Sequence, residues 1–266
     1  MEKMARFRRN WFGVTAGILV AAAVAVSGIL SLTSPRRFSA DNASSCGYGA
    51  SCPPTPPPSS QGYLLVGADG GIFTFGTASF QGSEGGSLLN QPIVGMAKDP
   101  ATGGYWLVGA DGGVFSFNAP FYGSEGGAKL NAPIVGIVAT PNGGGYWLVA
   151  SDGGVFSFNA PFFGSEGGTT LNQPVTGIAA TTDGRGYWLV AADGGIFTFG
   201  NATFYGSAGN LHLNKPIVGI GVPPGGGGYW LVAADGGIFT FGNATFLGSE
   251  GNVNLNKPVV GMVPVG

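Results

Sequence analysis

Charge is scarce in this chain of 266 residues: Asp, Glu, Lys and Arg make up 9% of it, against 44% hydrophobic and 12% aromatic residues. A chain this apolar is not a self-repelling disordered segment and has ample material for a core. Positive charge is the scarcest. Residues 62–266 hold only Lys98, Lys129, Arg185, Lys215 and Lys257 against eleven acids, which disfavours nucleic acid as a partner, because such binding rests on neutralising phosphates. Histidine occurs once, as His212, with no cysteine or second histidine near it, so it reads as a surface loop residue and not as the seed of a metal cluster. A phosphate loop is missing too: "PPGGGGYW" leads into a β-rich run, whereas phosphate-binding loops lead into a helix N-terminus.

Cysteine is confined to Cys46 and Cys52, and the only long hydrophobic run lies just before them. Lys3, Arg6, Arg8 and Arg9 precede an apolar stretch from Trp11 to Leu32, long enough as a helix for about 33 Å against a hydrocarbon core of roughly 30 Å. That length favours a retained signal-anchor over a cleaved signal. Ala23-Val24-Ala25 nevertheless supplies a small-residue cleavage pattern, so secretion stays open as the alternative. More basic residues before the run than after it (Arg36, Arg37) place 1–10 in the cytoplasm, 11–32 across the membrane and the remainder outside. The expected location is the cell membrane with an extracellular domain. Residues 33–61 read as a stalk, in which Cys46 and Cys52 close a small disulfide loop in an oxidising compartment or else stay free thiols. "PPTPPPSS" then forms a stiff spacer.

Glycine, by contrast, is abundant, with 52 residues, and it is periodic. "YWLVAADGGIFTFGNATF" spans Tyr187 to Phe204 and returns unchanged from Tyr229 to Phe246, with looser copies beginning at Tyr63, Tyr105 and Tyr146. Gly-Tyr pairs at 62, 104, 145, 186 and 228 set a period of 41 or 42 residues. Each unit holds two β-rich runs around an Asp-Gly pair, a signal for a two-residue type I′ hairpin. In that register Ala192 faces Gly195, Val190 faces Phe197 and Trp188 faces Phe199. Both faces are apolar, so each small sheet needs a neighbour on either side. Two further runs, such as "ATFYGS" and "PIVGIGV", bring the expected count to four strands per unit, the size of a propeller blade. The expected fold is all-β: a five-bladed β-propeller over 62–266. Its ring closes when the C-terminal run, Val259 to Val263, pairs beside Tyr63 to Val66.

The course of "PNGGGYWLVASDGGVFSF" (Pro141 to Phe158) is similar to that of WD-repeat propellers. The whole region resembles the "GYWLVxxDGGxFxF" repeats of secreted proteins from high-GC Gram-positive bacteria, a family with no assigned catalytic or binding residues to transfer. Five-bladed tachylectin-type lectins are a more distant architectural likeness. Unit one departs from the pattern, with Leu64 where the others have Trp106, Trp147, Trp188 and Trp230.

Catalysis has little to work with. Nine of the 13 acids recur with the repeat: the turn residues Asp69, Asp111, Asp152, Asp193 and Asp235, and Glu84, Glu125, Glu166 and Glu250 of "GSEG". A glycosidase needs two carboxylates in unlike environments, whereas repeat-equivalent positions have like ones. Only Asp99 and Asp183 remain in the repeat region, in connections where a turn role is usual. The binding candidates are the four Glu together with Asn90, Asn131, Asn172, Asn214 and Asn256 before the inner strands, and Lys215 and Lys257 beside them. Turn-setting is the plainer role for the Asp and Asn residues. The Tyr-Trp pairs are expected in the core and not at a sugar. The expected function is an exported, membrane-tethered binding or display module for cell-envelope glycans or a protein partner, with calcium as a candidate ligand and no cofactor. The alternatives are a propeller hydrolase using Asp99 or Asp183, and a structural spacer.

Overall fold

The computed structural model describes residues 62–262 and residue 264. The anchor, the stalk and the Cys46–Cys52 pairing lie outside the described residues.

Every described element is a β-strand. Blade one consists of β1 (Gly62–Val66) and β2 (Ile72–Gly76), and blade two of β3 (Ile93–Lys98), β4 (Tyr105–Gly109) and β5 (Val114–Phe117). Blade three consists of β6 (Ile134–Ala139), β7 (Tyr146–Ala150) and β8 (Val155–Phe158), and blade four of β9 (Val175–Ala180), β10 (Gly186–Ala191) and β11 (Ile196–Gly200). Blade five is β12 (Ile217–Gly221), β13 (Gly228–Ala233) and β14 (Ile238–Gly242). Each blade is one antiparallel sheet in chain order. The backbones of the inner strands β3, β6, β9 and β12 lie beside one another in sequence, whereas the backbones of the outermost strands come within 8 Å (Cα to Cα) of no strand of another blade. The sheets therefore splay outward from a shared inner edge, which is the blade layout of a propeller.

The hairpin register differs by one residue from the sequence expectation. Val190 pairs with Ile196, Leu189 with Phe197, Trp188 with Thr198 and Tyr187 with Phe199. The turn is a three-residue loop: Gly194 N–H donates to Ala191 O, Ala191 N–H donates to Gly195 O, and only Gly194 takes positive φ, at 82°. A type I′ turn would need Asp193 at positive φ as well. Instead its Oδ1 accepts from Gly195 N at 2.9 Å, and a type I turn with a glycine bulge results. The shift sorts the side chains anew. Tyr187, Leu189, Phe197 and Phe199 form a leading face; Trp188, Val190, Ile196 and Thr198 form a trailing face.

The trailing faces of blades one to four each pack on the next leading face. Trp147, Val149 and Val155 of blade three meet Tyr187, Leu189, Phe197 and Phe199 of blade four, and the same positions meet at the other three junctions. The Tyr, Trp, Leu and Val of β4 and β7 are completely buried. At roughly 2 kcal/mol per large apolar side chain, these second strands are the main stabilising layer.

The fourth run of each unit is not a strand. It is an extended strap held by side chains, which is why it need not join the ladder. Trp147 Nε1 of its own blade donates to Pro161 O at 2.8 Å. The hydroxyl of Tyr187, from the next blade, accepts from Phe163 N at 3.2 Å and donates to Gly164 O at 2.6 Å. The expected blades of four strands are thus sheets of three plus a strap. In blade one the sheet has only two strands, because β1 pairs with β2 alone and residues 259–262 form no strand. The expected closing pairing is not made among the described residues, since no strand of blade one touches a strand of blade five.

Each of the first four straps ends in a glycine on which the next blade's ring rests: a Cβ built on Gly164 would come within 2.7 Å of Phe199. Gly164→Ala is expected to cost about 1–3 kcal/mol through overpacking and backbone strain at φ 129°. Gly248→Ala, where nothing lies within 4 Å, should escape the overpacking part. Urea unfolding of the two variants checks the difference.

Candidate functional site

The "GSEGG" segment folds back onto its own blade's Asp-Gly turn. Glu166 N–H donates to Gly153 O at 2.9 Å, and a Cβ on Gly153 would meet the Glu166 Cβ at 2.6 Å. Ser165 Oγ then accepts from Gly167 N at 3.3 Å, and Thr169 N–H from the same loop donates to Glu166 O at 2.8 Å. Glu84, Glu125 and Glu250 repeat this bonding on Gly70, Gly112 and Gly236. In blade four Ala208 takes the position and is completely buried against Gly194. The backbone and Cβ of this residue therefore pack the loop onto the turn, and the carboxylate is what the four Glu add. Glu84, Glu125 and Glu166 are half-buried and Glu250 is exposed.

Asn90, Asn131, Asn172, Asn214 and Asn256 are all exposed on bends just before the next inner strand, as are Lys215 and Lys257. Backbone bonds hold each bend between two blades. Ile134 N–H donates to Ala110 O of blade two, while Pro133 O accepts from Ser151 N of blade three, both at 2.9 Å. That placement brings Asn131 and Ala132 to one side of a cleft of about 220 Å³ whose other side is Asp152, Gly154, Phe156, Ser165 and Gly167. Asn131 and the Asp152 turn thus come together, and the Glu166 loop forms part of the same wall.

A broader, open depression of about 560 Å³ lies between the inner strands of blades two and three, lined by Met96, Ala97, Ile137 and Val138 with Lys98 at its margin. Its lining contains no carboxylate.

Asp99 and Asp183 are turn anchors. Asp99 is completely buried and accepts from Ala101 N at 2.8 Å and Thr102 Oγ1 at 2.7 Å. Asp183 accepts from Thr181 Oγ1, Asn201 Nδ2 and Arg185 N. The Thr181 hydroxyl, with Arg185 N–H and Asn201, holds its carboxyl below the usual aspartate range. Its contribution to stability is therefore present above the ordinary carboxyl value and lost as pH falls through the lowered one. Among the described residues no group of three or more His, Cys, Asp or Glu is placed to hold a metal ion. His212 is exposed.

The aromatic residues divide in a way the sequence did not signal. The Tyr-Trp pairs are core except for the half-buried Trp230, but Phe80, Phe121, Phe162, Phe204 and Phe246 are each 57–60% exposed at the start of a strap. Their only sequence mark is that Phe recurs just outside the variable loop, which reads equally well as core.

No protein-family model matches the chain, and no curated protein matches it. Among solved structures it is similar to the β-propeller domain of Cps50 (Swd1) from Myceliophteria thermophila, at 13% sequence identity and a TM-score of 0.44. The match covers 67% of this chain and 61% of that one. Nothing about a ligand follows from that likeness.

Proposed function

We propose that this chain is an exported, membrane-tethered β-propeller module that binds cell-envelope carbohydrate along the turn-end rim of its blades. The observation that carries the reading is the cleft between Asn131 and the Asp152 turn, with Ser165 and Phe156 in its wall. An amide, a carboxylate and a hydroxyl beside an aromatic ring are the groups that sugar hydroxyls and C–H faces engage. The same residue types recur as Asn90 before Asp111, Asn172 before Asp193 and Asn214 before Asp235, so weak contacts add by avidity. Export and tethering rest on the basic and apolar N-terminal segment. Binding is favoured over hydrolysis because Asp99 and Asp183 are both engaged in turns. A protein partner with basic side chains is the second reading, supported by the four Glu on pinned loops.

The test is retention of the full chain, in detergent, on insoluble envelope polysaccharide. Replacing Asn90, Asn131, Asn172 and Asn214 together by Ala is expected to weaken retention at least ~10-fold, with an unchanged melting temperature because all four are exposed. Undiminished retention would remove the carbohydrate reading. Replacing the four Glu by Gln addresses the second reading through loss of capture of a basic protein.

A further inference from the structure

Each blade junction is made of the same two halves. The trailing half is a strap ending in glycine. The leading half is a Tyr whose hydroxyl bridges the strap backbone and a Phe whose ring covers the glycine. Tyr105, Tyr146, Tyr187 and Tyr229 accept from Gln81, Tyr122, Phe163 and Tyr205 N–H at 3.1–3.3 Å, and donate to Gly82, Gly123, Gly164 and Gly206 O at 2.5–2.6 Å. A Cβ on those four glycines would lie 2.3–2.7 Å from Phe117, Phe158, Phe199 and Phe241.

One further copy of each half is present, and neither meets the other kind of half among the described residues. The fifth strap, Phe246-Leu247-Gly248, keeps the glycine at φ 128°, yet a Cβ there would meet nothing within 4 Å, and Leu247 is 84% exposed. Blade one keeps the leading set Tyr63, Leu65, Phe73 and Phe75 at 60, 51, 59 and 43% exposure, whereas Tyr105 and Leu107 of blade two are completely buried. The inner edge shows the same mismatch. Val259 N–H donates to Ala234 O at 2.9 Å, as Ile217 N–H does to Ala192 O, so the chain starts a fifth inner run beside β12. Val260 in that run is 86% exposed, and β1 has no inner strand beside it among the described residues.

We propose that blade one of a second copy of this chain docks on blade five of the first. Tyr63 and Phe75 then occupy the Leu247–Gly248 strap, and the run from Val259 to Met262 lies along the free edge of β1. The occupant follows from continuity with an interface that the chain already makes four times. The second copy is chosen over blade one of the same chain because, among the described residues, no strand of blade one lies beside a strand of blade five. Among the described residues the outer faces of blades one and five are apolar, and β1 offers an open strand edge, the kind of edge that pairs with another chain. The contact is heterologous, head to tail, so successive copies form a ring or a filament.

Sedimentation of the full chain in detergent, across a concentration series, tests the proposal. Wild-type chain is expected to assemble beyond the monomer. A head variant, Tyr63→Asp with Phe75→Asp, and a tail variant, Leu247→Asp with Gly248→Glu, should each be monomeric. An equimolar mixture of the two should form dimers and nothing larger, because one intact head and one intact tail remain. Tyr63→Phe, which keeps the ring, should weaken assembly several-fold. Circular dichroism and melting of each variant confirm folding, since the substituted side chains are exposed. A wild-type chain that is monomeric at every concentration, as closure within one chain would give, overturns the proposal. So does a mixture without dimers, or assembly that survives in both variants.

Discussion

Trp147→Ala is expected to lower the unfolding free energy by about 3–5 kcal/mol, the cost of emptying a large, fully buried aromatic site. For a domain of this size that lowers the melting temperature by on the order of 10 °C. Trp147 is completely buried, with its ring centroid 5.5 Å from Tyr187 and 6.3 Å from Phe163, rings that are themselves 5.6 Å apart. Truncation therefore opens a cavity between two blades. It also leaves Pro161 O without the indole N–H that now meets it at 2.8 Å, and slackens the strap on which Tyr187 closes. Trp230 is the internal control. It makes the same bond to its own strap, through Thr245 O at 2.8 Å, but no following Tyr packs on it and it is only half-buried. Trp230→Ala should cost roughly 1–2 kcal/mol, in proportion to the smaller area removed from water. Equal losses in urea unfolding of the monomeric protein would mean that the Trp ring stabilises its own sheet and not the blade junction.

The contrast between those two tryptophans follows from what repetition in a sequence can and cannot reveal. The phase of the repeat, the place of each hairpin and the burial of the Tyr-Trp pairs are all legible, because period and aromatic content report them directly. The hairpin register is not. "DG" alone suggests a two-residue turn, and the deciding contact is the Asp193 carboxylate accepting from Gly195 N–H, which the second glycine of "DGG" makes sterically easy. The fourth run misleads for a related reason. "ATFYGS" alternates like a strand, yet its polar backbone is satisfied by the Trp188 indole and the Tyr229 hydroxyl, the latter from the following blade. A partner some two dozen residues downstream leaves no mark on local pattern. Among the candidate site residues, the sequence groups Glu166 and Asn131 by recurrence. It takes the fold to show that Glu166 is pinned to its own Asp-Gly turn while Asn131 faces the turn of the following blade. The equivalence of Ala208 to the four Glu also becomes readable only there. Glu and Ala alike set a Cβ against the turn glycine there, and the carboxylate is additional.

The strap tyrosines also make the protein sensitive to alkali. Burial raises the hydroxyls of Tyr146, Tyr187 and Tyr229 above the ordinary tyrosine value of 10.0, outweighing the backbone groups that favour the ionised form. Ionisation removes the proton each donates to Gly123, Gly164 or Gly206 O and places a negative charge against that carbonyl oxygen. A group raised in the folded state holds its proton more tightly there than in the unfolded chain. Its share of stability is therefore complete below the ordinary value and is lost as pH rises through the raised one. Three equivalent junctions act together, so the loss is cooperative. The expected result is a flat stability profile to about pH 9, followed by a steep fall above about pH 10, with phenolate absorbance rising in step with loss of the β-sheet circular dichroism. Tyr146→Phe, Tyr187→Phe and Tyr229→Phe combined should flatten the alkaline limb. The same variant should be weaker at neutral pH by about 1–3 kcal/mol per junction, because a strap N–H and C=O each lose a partner. Phenolate that forms near pH 10 while the fold stays intact would show that the hydroxyls do not hold the straps.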